Sequence, residues 1–392
     1  MYTVETSRHF TKRFDPVTNM VYYVLSTRIA PVQQSFYFVN SGLSDDGRYM
    51  WFYCAFPPTS QRALGVVDFL TDDIRWFPDT FTVDSYMVDP LTGNAWWGAK
   101  SGFYMRTPHK DDKPVRIAPL PKQAKGFFTL ASTHLSFSPD RRELFVDVVS
   151  GDRSVLGTVN IADGSFTEWY HTAIGTIYNH ALFNPVNPDL ALCAHEYHSS
   201  PFGGPSEAPP RNEKGEYPRL HTISRDGVNT MYPPMIDYAS HEYWSADGEK
   251  IYYVDGHRIF STNILTGEKK IAVDCDRFHD LDELPVTAWH SHATADEKYF
   301  VADSSFYDHG LTWWRGCPSK VTFYNTVTDK AVDIVTRNPA LPDWTPEDPC
   351  PYHIDPHPRF VLHDKYVTFT VTTDGRVDAA IAPVRELLEA TK

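Results

Sequence analysis

The chain has no long hydrophobic run. Nowhere in its 392 residues does an apolar stretch approach the roughly 18 residues of a membrane-spanning helix. Its first residues, MYTVETSRHF, lack the apolar core of a secretory leader, so a cytoplasmic location is expected. Cysteine is scarce: Cys54, Cys193, Cys275, Cys317 and Cys350 are odd in number and scattered, with no C-x-x-C. That excludes a disulfide framework and a zinc knuckle. Positive charge is short as well. Lys and Arg total 36 against 50 Asp and Glu, for a net charge of −14, and no basic stripe appears. Nucleic acid is therefore not an expected partner, nor is a membrane. An acidic chain can still take an acidic substrate in a locally basic cleft. There is no G-x-S-x-G, no P-loop and no G-x-G-x-x-G, so neither a serine nucleophile nor a nucleotide is indicated. His195-Glu196-Tyr197-His198 is one residue too short for H-E-x-x-H, so it is not a zincin helix.

Aromatic residues and turns are plentiful. Phe, Trp and Tyr make up 14% of the chain, a composition that suits β-structure and carbohydrate-facing surfaces alike. A unit recurs: an apolar strand, a Ser/Thr/Asn turn carrying Asp or Gly, and a second apolar strand. Its clearest copy joins residues 241–244 to 250–254 through Ser245-Ala-Asp-Gly248. Others pair 35–39 with 49–54, 134–137 with 143–148, 180–183 with 190–193, 290–293 with 298–302, and 357–361 with 366–371. A weaker copy, 81–88 with 95–97, fills a double-length gap. Where nothing is inserted the turns recur at about 50 residues, the spacing of propeller blades. Seven units of four short antiparallel strands predict an all-β fold, a single seven-bladed β-propeller over 1–392. A strand near 21–26 is expected to complete the last blade, and 385–390 to form a short helix. Two insertions, 199–217 and 338–351, are rich in Pro and are expected to wall a cleft on one face.

Histidines mark the units. His134, His180, His241, His290 and His357 each stand at the first strand of a unit. A propeller gathers such positions around one central channel, so these residues are expected to meet. Near the C-terminus, His353, Asp355 and His357 alternate. On an extended strand they would share one face, and imidazole with carboxylate suits a divalent first-row metal.

The order Cys193-Ala-His-Glu196, RLHTISRDG from Arg219, HEYWSADG from His241, the lone His290 and Asp355-Pro-His-Pro358 resembles the oligogalacturonate lyases. The likeness covers the C-terminal half well and the first unit loosely. It implies a seven-bladed propeller that cleaves pectin-derived uronides by β-elimination. It also implies one divalent metal, typically manganese, held by histidines and a glutamine. Residue by residue, His290 and His357 match metal histidines, Arg219 matches the arginine proposed as base, and His241 matches a histidine at the substrate site.

The sequence also departs from that pattern. Asp355 stands where the family has the first His of H-P-H-P, and Tyr352 where it has the Gln, with His353 beside it. The metal set expected here is therefore His290, His353, Asp355 and His357. Arginine ionises above about 12, so His241 or His195 is an equal candidate for the base, with Arg219 clamping a carboxylate. Tyr243 or Tyr197 is the candidate acid. His134, His180, Glu196 and Tyr197 are expected to bind an acidic oligosaccharide. Three other readings stay open: a metal-free lyase on another uronide, a non-catalytic binding propeller, and a hydrolase using carboxylates from Glu196, Glu242 and Asp355.

Overall fold

A computed structural model describes residues 1–124, 129–150, 153–172, 177–196, 219–232, 239–278, 286–306, 315–345, 347–352 and 354–392. These form seven antiparallel sheets arranged as the blades of a β-propeller. The inner strands, in chain order, begin with Val32–Gln34, Tyr86–Val88 and the broken pair Thr129–Leu130 and Ser136–Phe137. Ile177–Phe183, Ser240–Trp244, Val286–Ala293 and Arg359–Val361 complete the ring. In the closing sheet, Val21–Leu25 pairs with Asp378–Pro383, and Phe10–Phe14 adds a fifth, outer strand. The helix Val384–Ala390 follows.

Burial explains the two sequence patterns seen in the strands. Middle strands are sandwiched between neighbouring blades, so Tyr49–Ala55 is buried at every residue. Such strands read as continuous apolar runs rather than alternating ones. Outer strands such as Phe166–His171 and Lys269–Asp274 keep charged residues in solvent, which blunts the exposed sheet edge.

The turn between the first two strands is built the same way in four blades. Ser44, Ser138, Ser245 and Thr294 donate their hydroxyls to Asp46, Asp140, Asp247 and Asp296 at 2.7, 2.7, 2.6 and 2.8 Å. The next position has a left-handed backbone: Gly47, Arg141, Gly248 and Glu297 have φ of 70, 63, 71 and 59°. Glycine relieves that strain in two blades, and the side-chain hydrogen bonds hold it in the other two.

Three sequence expectations need correction. Residues 35–39 are not a strand; the first inner strand ends at Gln34, and the following turn carries Tyr37 and Phe38 into the channel. The run 81–88 is split, because Asp84 accepts hydrogen bonds from Thr82 and the Ala131 N–H and turns the chain between two blades. Residues around Asp355 are not extended. Pro351, Pro356 and Pro358 supply no N–H for a ladder, and the strand starts only at Arg359. The insertion 338–351 packs inward, with Leu341 and Cys350 in a cluster with Val32, Ala55 and Val377, and none of its described residues lines the channel cavity. The insertion 199–217 and His353 lie outside the described residues.

The ring closes partly through one aromatic contact. Tyr22 from the N-terminal strand meets fully buried Phe369 with ring centroids 6.1 Å apart. Phe369→Ala is expected to lower unfolding free energy by about 3–5 kcal/mol, through lost burial and the cavity left behind. Urea titration of both proteins measures this, and an unchanged midpoint would disprove it.

Candidate active site

His180, His241 and His357 share a backbone feature that the sequence hides. Their φ values are 52, 57 and 48°, in the left-handed region that non-glycine residues seldom occupy. Strand register shifts around His180, between Asn179 and Leu182, and around His241, between Ser240 and Tyr243. It shifts again around His290, between Ala288 and Ser291. The histidines therefore do not simply open their strands. They sit on bulges, or just before the strand, where a bulge re-aims a side chain out of the pleat.

The result is one cavity of about 640 Å³ at the end of the channel where the inner strands begin. All five histidines line it, together with Arg62, Arg219, Arg315, Gln34, Tyr37 and Asp355. The rings are in close contact. His290 lies 4.1 Å from His241 and 4.2 Å from His357 between centroids, and His134 lies 4.7 Å from His180. Tyr37 stacks on His134 at 5.1 Å and leans on His357 at 4.7 Å.

Asp303 organises the deepest part. It accepts hydrogen bonds from the N–H groups of His290 at 2.8 Å and of His357, in the next blade, at 2.9 Å. His290 Nδ1 lies 2.9 Å from the same carboxylate. Burial, with the charge of His180 adding to it, lowers the His290 pKa to about 3. The ring is therefore neutral, Nδ1 carries the hydrogen it gives to Asp303, and Nε2 is left as a lone-pair donor. That Nε2 is buried with no hydrogen-bond partner among the described residues. An imidazole oriented by a carboxylate behind it, with a vacant ring nitrogen, suits a divalent first-row metal. His357 and Asp355 line the same cavity and offer further donor types. Among the described residues no group of three or more such side chains is already drawn together as a cage.

Arg219 and Glu242 form a second centre. Arg219 donates from Nε to Glu242 Oε2 at 2.9 Å and from Nη2 to Oε1 at 3.3 Å, and His180 Nδ1 lies 3.3 Å from Oε1. Burial would raise the Glu242 pKa, but Arg219 and His180 together hold it down at about 2. His241 stays neutral, its pKa far below the usual value through burial, next to His290 and Arg219. Its Nδ1 has no partner among the described residues.

Other expected site residues fall elsewhere. Tyr243 points between blades, stacked on Tyr252 and His292 rather than in this cavity, because residues beyond the bulge face the opposite way. His195 is buried against Tyr178 and His221 and does not line the cavity. Tyr197 lies outside the described residues, as does the Glu196 side chain. The reading from sequence did not pick out Tyr37, Arg62, Arg315 or Asp303 for this site. One signal was available: Asp147 and Asp303 each follow a unit histidine by 13 residues (134 to 147, 290 to 303), and both are fully buried.

No family model matches the chain, and no curated protein matches it. Solved structures do. Oligogalacturonate lyase from Vibrio parahaemolyticus aligns over 96% of both chains with a TM-score of 0.71 at 16% identity. An oligogalacturonate lyase in complex with manganese gives 0.70 at 15% identity, over 95% of this chain and 96% of that one. The β-propeller domain of Myceliophteria thermophila Cps50 (Swd1) gives 0.50 at 10% identity, over 90% and 98%. At these identities the likeness is one of fold.

The ion pair at Glu242 sets an expectation. Its carboxyl titrates lower in the folded chain than the ordinary 4.5, so its contribution is complete above that pH and is lost as pH falls toward about 2. Glu242→Gln removes the buried carboxylate that Arg219 holds through two hydrogen bonds, and should cost about 3–5 kcal/mol at neutral pH. Thermal unfolding of both proteins from pH 7 to pH 2 tests this. A variant as stable as wild type at pH 7 would overturn it.

Proposed function

We propose that this chain is a carbon–oxygen lyase that cleaves uronic-acid oligosaccharides by metal-assisted β-elimination. The observation that carries this reading is the charge of the cavity. In a chain of net charge −14, its wall holds Arg62 and Arg315, with Arg219 paired to Glu242 behind it, against one lining carboxylate, Asp355, and adds five histidines as hydrogen-bonding groups. Such a wall attracts an anion. A cavity of about 640 Å³ falls within the range of small-ligand sites, with room for one or two sugar rings. The two oligogalacturonate lyase structures share the fold over nearly the whole chain, and one of them is a manganese complex.

Elimination needs a base for the proton next to the uronate carboxylate, charge stabilisation on that carboxylate, and an acid for the leaving oxygen. Arg219 is a poor base here, because Glu242 holds it as a cation through two hydrogen bonds. His241 takes that role: it is neutral, lines the cavity and keeps Nδ1 unpartnered among the described residues. An entering carboxylate beside it raises its proton affinity toward the value a base requires. Arg62 and Arg315 orient the substrate carboxylate. His180, tied at Nδ1 to Glu242, supplies the proton to the leaving oxygen. His290, His357 and Asp355 would hold a divalent ion, which when bound supplies a Lewis acid to the substrate carboxylate.

The test is ultraviolet absorbance of the unsaturated uronate product, followed on a panel of uronic-acid oligosaccharides with and without chelator. A rise that chelator abolishes is expected. His241→Ala should reduce kcat by about 10²–10⁴-fold with the fold intact by circular dichroism. Cleavage without an absorbance rise would mean hydrolysis and sink the elimination reading. No cleavage of any uronide would favour a binding propeller.

A further inference from the structure

The channel has a second cavity at its other end. Along each inner strand the chain runs from the histidine cavity toward it: from His241 to Tyr243 and Trp244, from His290 to His292, from His357 to Arg359 and Phe360. These later residues line a cavity of about 510 Å³. The turn carrying Tyr37 and Phe38 divides the two spaces. Tyr37 lines the first, Val39 lines the second, and Phe38 between them is fully buried.

What distinguishes the second cavity is a buried cation with no direct ion-pair partner among the described residues; Asp364 on the same wall acts on it only through longer-range charge. Arg359 donates from Nη1 to the Phe38 carbonyl at 2.6 Å. Its Nε is shielded from solvent and has no hydrogen-bond partner among the described residues. No carboxylate among them forms an ion pair with Arg359. Of the two carboxylates on the cavity wall, Glu297 is paired with Lys250, and Asp364 accepts the Ala295 N–H at 3.0 Å and makes no direct contact with the guanidinium. Charge left unpaired in such a place is costly, and a guanidinium with free donors matches a carboxylate fork. Beside it stand the faces of Trp244 and Phe360, and the Tyr243 hydroxyl is buried with no hydrogen-bond partner among the described residues. Flat apolar surface next to a lone cation suits a ring that carries a carboxylate.

We infer that this second cavity binds a small carboxylate the size of one acidic sugar ring, held by Arg359 and packed against Trp244 and Phe360. The site is separate from the histidine cavity and does not depend on the reaction proposed there.

Galacturonate serves as probe, with galactose and sodium chloride as neutral and inorganic controls. Each is titrated calorimetrically into the full-length protein, into Arg62→Ala/Arg315→Ala, which disables anion capture in the first cavity, and into Arg359→Gln built on that double variant. Galacturonate should bind the double variant and raise its Tm, with galactose and chloride giving neither effect. Arg359→Gln should weaken this binding roughly tenfold or more. If Arg359→Gln does not fold by circular dichroism, Arg359→Lys, which keeps charge but not the fork, should show weakened binding instead. Absence of galacturonate binding to the double variant, equal response to chloride or galactose, or undiminished affinity in the folded Arg359 variant would overturn the inference.

Discussion

Asp303 is a fully buried carboxylate shared by two blades, and the site depends on it. It accepts the His290 N–H from its own blade and the His357 N–H from the next, and it orients the His290 ring through Nδ1. One group thus ties neighbouring blades at the channel and sets which nitrogen of His290 faces the cavity. Burial raises its pKa to about 7, against the backbone N–H groups that favour its charged form. Asp147 repeats the device three blades away. It accepts from Thr133 in its own blade and from the Ala181 N–H in the next. Thr370 does a neutral version, holding Ser35 across the closing seam at 2.8 Å between hydroxyls. Set among the apolar packing between blades, these buried polar ties help fix how blades register at the axis.

The backbone strain at the histidines is tied to the same design. A histidine in ordinary extended conformation would point between blades, as Tyr243 does beyond its bulge. Left-handed residues at 180, 241 and 357 re-aim the rings into the channel at the cost of local strain. The surrounding blades supply the packing that maintains it. Strain concentrated at equivalent positions around one cavity is the mark of a site rather than of a generic core.

Electrostatics divide the channel into two unlike spaces. The first gathers His241 and His290, held neutral by burial, and arginines that face an entering anion. The second presents one guanidinium among aromatic rings. Phe38 lies between them, its ring 5.4 Å from His290 and 5.9 Å from Tyr243, and its carbonyl bonded to Arg359. A single turn, 37–39, therefore touches the chemistry on both sides.

The seven-bladed all-β fold was legible because the blades repeat the same local physics: two apolar strands joined by a tight polar turn, in four of them a Ser/Thr-x-Asp turn with a left-handed fourth residue. Histidine at equivalent places in five units also stood out, since repetition around a closed ring brings equivalent positions together. Spacing could not give the aim of each ring. That depends on bulges, which shift register by one residue and leave no compositional trace, so Tyr243 read as a site residue and lies in the core. Nor could spacing pair Arg219 with Glu242, because side chains from two different sheets, 23 residues apart, meet only where blades adjoin. The alternation of His353, Asp355 and His357 suggested one face of a strand, but the prolines beside them deny the ladder its N–H groups. Sequence determined the repeat and the ring of histidines. Only the tertiary structure decided which side chains enter the channel, because that choice is made by backbone strain and by carboxylates reaching across from the neighbouring blade.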